Sequence, residues 1–88
     1  MKLIIAIVRD HDSEAVTKAL TTNGFRVTGI ASSGGFLRRG KSTLLIGLED
    51  NQVENGLQVI RSSVSPAADN VETRAVMFVL PVDHFDHF

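Results

Sequence analysis

Two stretches of helical hydrophobic spacing each lie between strand-like runs, and this switching of period restricts the chain to a layered fold of helices on a sheet. The first run, residues 2–8, is rich in Ile and Val and nearly continuous, as suits a central strand covered on both faces. Asp10, His11, Asp12 and Ser13 then offer N-cap oxygens, and Ala15, Val16, Ala19 and Leu20 recur at helical spacing. Asn23-Gly24 supplies a left-handed stop. Over residues 25–32 the pattern alternates, with Phe25, Val27, Gly29 and Ala31 on one side and Arg26, Thr28 and Ile30 on the other. A third strand is predicted over residues 43–48. Glu49, Asp50 and Asn51 cap a second helix whose buried face is Val53, Leu57, Ile60 and Val64, with Asn51 and Glu54 at capping-box spacing. After a turn-rich connector, residues 65–70, a fourth strand is predicted over residues 71–80, ended by Pro81 and followed by a short tail.

The order strand, helix, strand, strand, helix, strand is the split βαβ, or ferredoxin-like, arrangement: an α+β fold with four antiparallel strands and both helices on one face. The opposite face then lacks a helical cover. Eighty-eight residues suffice for a single domain, 1–88, but a chain this short usually needs a staple. There is no cysteine, which excludes disulfides and thiolate metal sites. Self-association through the uncovered apolar face is the support that remains.

Nine Lys and Arg against ten Asp and Glu leave a net charge of -1, which argues against nucleic-acid binding or anionic-membrane binding driven by bulk charge. The apolar run near the N-terminus is far below the ~20 residues that span a bilayer, and no cleavage site follows it. A soluble, cytoplasmic protein without membrane insertion is expected.

The segment Gly35-Phe36-Leu37-Arg38-Arg39-Gly40-Lys41-Ser42 matches the P-loop string G-x-x-x-x-G-K-[ST]. A P-loop requires a helix beginning at the Lys so that backbone N–H groups and the helix dipole converge on phosphate. Here a strand-like run begins instead, so an NTPase is not expected. Two readings of the loop remain. It is a solvated connection, or it is an anion-binding loop in which N–H groups of Gly34, Gly35 and Gly40 and the side chains of Arg26, Arg38, Arg39 and Lys41 meet phosphate. In the second case Phe36 and Leu37 offer an apolar surface to a base. The tail carries His84 and His87 beside Asp83 and Asp86, but spacing fixes no third ligand, and no metal is assigned. His11 reads as a neighbour of the helix cap. No nucleophile, base and orienting group can be assembled, so the protein is not expected to be an enzyme.

Residues 1–8, 23–28, 33–40, 46–50 and 79–85 together resemble the PII-like cyclic di-AMP receptor proteins, in collinear order over most of the chain. The Gly-Gly-Phe-Leu loop and the Leu-Pro-Val-Asp ending are the most specific parts. The resemblance implies a ferredoxin-like subunit assembled as a homotrimer, and a non-enzymatic signal receptor with a nucleotide at each subunit interface. It places the site at Arg26, Thr28, Gly35, Phe36, Leu37 and Gly47, joined by the residue at position 41 and by the C-terminal tail. Two departures stand out. Lys41 and His87 replace an Asn and a Gln, and an ammonium at position 41 favours a ligand with more phosphate charge, which ranks ADP or ATP ahead of cyclic di-AMP. The long loop that the family inserts between the second helix and the last strand is reduced to about residues 62–70, and in PII-type proteins that loop engages the target. The expectation is therefore an adenine-nucleotide sensor that regulates a partner such as a transporter or an enzyme. The alternatives are a cyclic di-AMP receptor using the same site and a structural module without a ligand.

Overall fold

A computed structural model of the chain describes residues 1–30, 40–65 and 74–83. Its elements are β1 (Lys2–Arg9), α1 (Asp10–Thr22), β2 (Arg26–Ile30), β3 (Lys41–Leu48), a 3-10 turn (Asp50–Gln52), α2 (Val53–Ser63) and β4 (Ala75–Pro81). The strands form one sheet in the order β2-β3-β1-β4, and every pairing is antiparallel. This is the expected ferredoxin-like βαββαβ topology.

Strand periodicity decides which side chains enter the core. Ile4, Ala6 and Val8 of β1 and Leu44, Ile46 and Leu48 of β3 point to the helix side, where they meet Val16 and Leu20 of α1, Ile60 of α2 and Phe25. Among the described residues the other side has no helix. It carries Leu3, Ile5 and Ile7 in its centre and Ile30, Val76, Phe78 and Leu80 toward its edges, the last four between 40% and 50% exposed. The uncovered apolar face inferred from the sequence is thus present among the described residues.

α1 ends as expected. Gly24 adopts φ +87°, Phe25 N–H donates to Leu20 O at 3.0 Å and Gly24 N–H donates to Thr21 O at 3.0 Å, which is the Schellman arrangement. The chain then reverses with Phe25 and Leu20 both in the core.

Several boundaries differ from the sequence-based expectation. α1 begins at Asp10 itself, with Arg9 at the N-cap position and no side-chain cap, because the Asp12 carboxylate is engaged by Ser65 and Arg9 instead. Ala15 is exposed, so the buried stripe of α1 is narrower than its spacing suggested. The capping box is formed by Glu49 and Gln52 rather than Asn51 and Glu54, since a 3-10 turn precedes α2 and moves the cap back. β3 starts at Lys41 rather than Thr43: Gly40 turns the chain at φ +83° and Lys41 pairs at once with Arg9. α2 runs to Ser63, so Ser62 belongs to the helix rather than to the connector. Pro81 does not break β4; it is the last paired residue, opposite Lys2, and an edge strand tolerates its missing N–H. Residues 31–32 and 71–73, assigned to strands from the sequence, lie outside the described residues, and Arg74 precedes β4 instead of belonging to it. No helix among the described residues is long and apolar enough to cross a membrane.

Candidate functional site

Register determines where the expected ligand-binding residues sit. Arg26, the first residue of β2, lies directly opposite Gly47 of β3, and Gly47 in turn lies opposite Leu3 of β1. Thr28 is opposite Leu45, one step along the same face. Alternation with buried Phe25 and half-buried Val27 places Arg26 and Thr28 on the helix-free side, and both are exposed. Three of the expected residues therefore meet at one corner of the open face.

Among the described residues nothing in the packing requires Gly47 to lack a side chain. A Cβ built there meets only the terminal methyl of Met1, at the ordinary contact distance of 3.5 Å. Gly56 in α2 is the opposite case: a Cβ there lies 3.1 Å from Leu48 Cδ1 and 3.4 Å from Ile4 Cδ1. Glycine at 56 is demanded by helix-on-sheet packing, whereas glycine at 47 leaves space among the described residues opposite Arg26.

Lys41 occupies the other end of β3, opposite Arg9. Along the strand it is six residues from Gly47, about 20 Å at ~3.3 Å per residue. The chain thus holds Arg26, Thr28 and Gly47 together and Lys41 apart from them. Among the described residues neither Arg26 nor Lys41 has an ion-pair partner. The other expected contacts, Gly34, Gly35, Phe36, Leu37, Arg38, Arg39 and His87, lie outside the described residues, as do His84, Phe85 and Phe88 of the tail. Because Lys41 and Ser42 form the start of a strand, no helix begins at the Lys, and the P-loop string lacks the geometry that would make it one.

The Lys41 end carries polar contacts that the sequence did not reveal. The Asp10 N–H donates to Gly40 O at 2.8 Å, and the Ser42 hydroxyl donates to the Asp10 carboxylate. Next to them, Arg9 Nη2 lies 2.9 Å from Asp12 Oδ2 and also donates to the carbonyl of Ser65. Asp12 Oδ1 accepts from the Ser65 N–H at 3.0 Å and from its hydroxyl at 2.6 Å. Burial works to raise the Asp12 pKa, but the hydrogen bonds from Ser65 and Arg9, with the Arg9 charge, together outweigh it and hold the carboxyl below its ordinary value. The only sequence signal for this cluster was the polar run after β1, which reads as a helix cap; contact with Ser65, more than fifty residues away, leaves no local trace.

A family profile described as "Cyclic-di-AMP receptor" matches residues 1–74, which takes in β1, α1, β2, β3 and α2 but stops before β4. Among solved structures, the chain is similar to a functionally unknown protein from Pediococcus pentosaceus ATCC 25745. The two share 32% sequence identity with a TM-score of 0.77, and the match covers 99% of this chain and 96% of that one. The short connection between the second helix and the last strand is thus compatible with a match running almost end to end between two chains of similar extent.

Proposed function

The chain belongs to the cyclic-di-AMP receptor family, a PII-like family, and from that membership we propose that it is a signalling receptor, not an enzyme, that binds an adenine nucleotide between subunits of a homotrimer. The observation that supports this most directly is the corner formed by Arg26, Thr28 and Gly47. Among the described residues, an exposed arginine without an ion-pair partner lies opposite a strand position left bare for no packing reason, which suits a phosphate and a flat ring approaching the strand.

Assembly follows from the same face. The rows Leu3 with Leu80, Ile5 with Phe78, and Ile7 with Val76 form an apolar surface that a monomer would leave in water, and packing three copies about it removes that surface. In such an assembly the separated Lys41 and Arg26 ends come from different subunits at each cleft. Gly34, Gly35, Phe36, Leu37, Arg38, Arg39 and His87 complete the site, with Arg38 and Arg39 on phosphate and Phe36 and Leu37 on the base. The whole chain, 1–88, acts as one cytoplasmic domain that reports occupancy to a partner such as a transporter or an enzyme.

Cyclic di-AMP is the first ligand to test, because it is the ligand for which the family is described; this reverses the order expected from Lys41 considered by itself. ADP or ATP is the second reading, and Lys41 is the observation that favours it. Calorimetric titration of the chain with cyclic di-AMP, ATP and ADP decides between them. Micromolar binding of cyclic di-AMP that is lost in Arg26→Ala is expected. Heat from ATP or ADP alone would assign the site to a mononucleotide, and no heat and no melting shift from any of the three would leave a structural module without a ligand.

A further inference from the structure

Lys41 is bracketed by a single residue. The Asp10 main-chain N–H holds Gly40 O, on one side of Lys41, and the Asp10 carboxylate accepts the Ser42 hydroxyl, on the other. Gly40 sits at φ +83° immediately before β3. Ser42 faces the helix side of β3 and reaches Asp10 in the first turn of α1, while alternation sends Lys41 to the open side. Resting on the nucleotide reading above, we propose that Asp10 is a positioning residue for the ligand: it holds the Gly40 carbonyl on one side of Lys41 and the Ser42 side chain on the other, and so aims the ammonium at phosphate.

The sign of the effect separates this role from simple electrostatics. Asp10 is an exposed carboxylate close to a site for anions, and a group acting only through its charge would repel phosphate. Its removal would then tighten binding. A positioning role requires the reverse: Asp10→Ala keeps the main-chain bond to Gly40 but frees the Ser42 hydroxyl, Lys41 loses its preferred direction, and more side-chain entropy is lost when the ligand binds.

The test is a calorimetric titration of the full chain with cyclic di-AMP and with ATP, alongside the melting temperature of each unliganded variant. Asp10→Ala and Ser42→Ala are each expected to weaken binding about tenfold, the scale of one charge-assisted hydrogen bond. Asp10→Asn keeps an acceptor for Ser42 and should bind within twofold of wild type. In a Lys41→Ala background, Asp10→Ala should have no further effect, because its action runs through that lysine. Tighter binding in Asp10→Ala, or an equal loss with and without Lys41, overturns the positioning role even if the unliganded variant melts lower. Failure of wild type to bind either nucleotide overturns the nucleotide reading itself, and the role of Asp10 with it.

Discussion

The guanidinium of Arg9 and the carboxylate of Asp12 meet at 2.9 Å with both side chains nearly withdrawn from water. The pair joins the end of β1 to the first turn of α1, and Ser65 brings the exit of α2 to the same point. Asp12→Ala leaves a buried guanidinium without this counter-charge and the Ser65 N–H without its acceptor. A loss of about 3–5 kcal/mol is expected from urea unfolding at neutral pH. A loss below ~1 kcal/mol would show that water or another group replaces the carboxylate.

The same carboxylate sets an acid limit on stability. Its pKa in the folded chain is lowered from the ordinary 3.8 by Ser65 and Arg9 against the opposing effect of burial. A depressed carboxyl pKa contributes stability that is complete above the unfolded value and is lost as pH falls through the folded value. Melting temperature should therefore decline as pH falls below about 4, and the decline should be shallower in Asp12→Asn, which has no carboxyl to protonate. Equal acid sensitivity in both proteins would assign the effect to other groups.

Gly56 and Gly47 should respond in opposite ways to the same substitution. At 56 a valine presses on Leu48 and Ile4, and overpacking of this kind costs about 1–3 kcal/mol. At 47 the added branches enter open space next to Met1 on a strand, where valine is a favoured residue. Gly47→Val should keep its melting temperature and lose nucleotide binding. Unchanged affinity in a folded Gly47→Val protein would remove this corner from the site.

Phe78 is half exposed on the helix-free face, opposite Ile5 of β1. If that face packs against other copies, a lysine there buries an unpaired charge in each interface. Light scattering should give a trimer mass for wild type and a smaller mass for Phe78→Lys, with the far-ultraviolet circular dichroism retained. A monomer mass for wild type at micromolar concentration would rule out a site between subunits.

Local patterning was enough to read the element order, the Gly24 stop, the two faces of β2 and the continuous apolar run of β1, because each depends on residues a few positions apart. The P-loop string was also separable from a true P-loop, since an apolar, strand-like run and not a helix follows Lys41. Family resemblance added a site, and register then showed that Arg26, Thr28 and Gly47 share one corner while Lys41 stands at the far end of its strand.

What the chain order could not reveal were the contacts that close over long separations. Arg9 and Asp12 read as a strand end and a helix cap until the fold brings Ser65 onto them, and Asp10 is an ordinary helix-start residue until β3 carries Gly40 and Ser42 to it. The capping box moved from Asn51 to Glu49 because a 3-10 turn precedes α2, a local choice among several residues that could cap. Side-chain type and spacing determine which surfaces are apolar and where the chain turns. Which polar groups share a desolvated space is decided only when the sheet and helices pack, because a buried hydrogen bond depends on positions in space and not on distance along the chain.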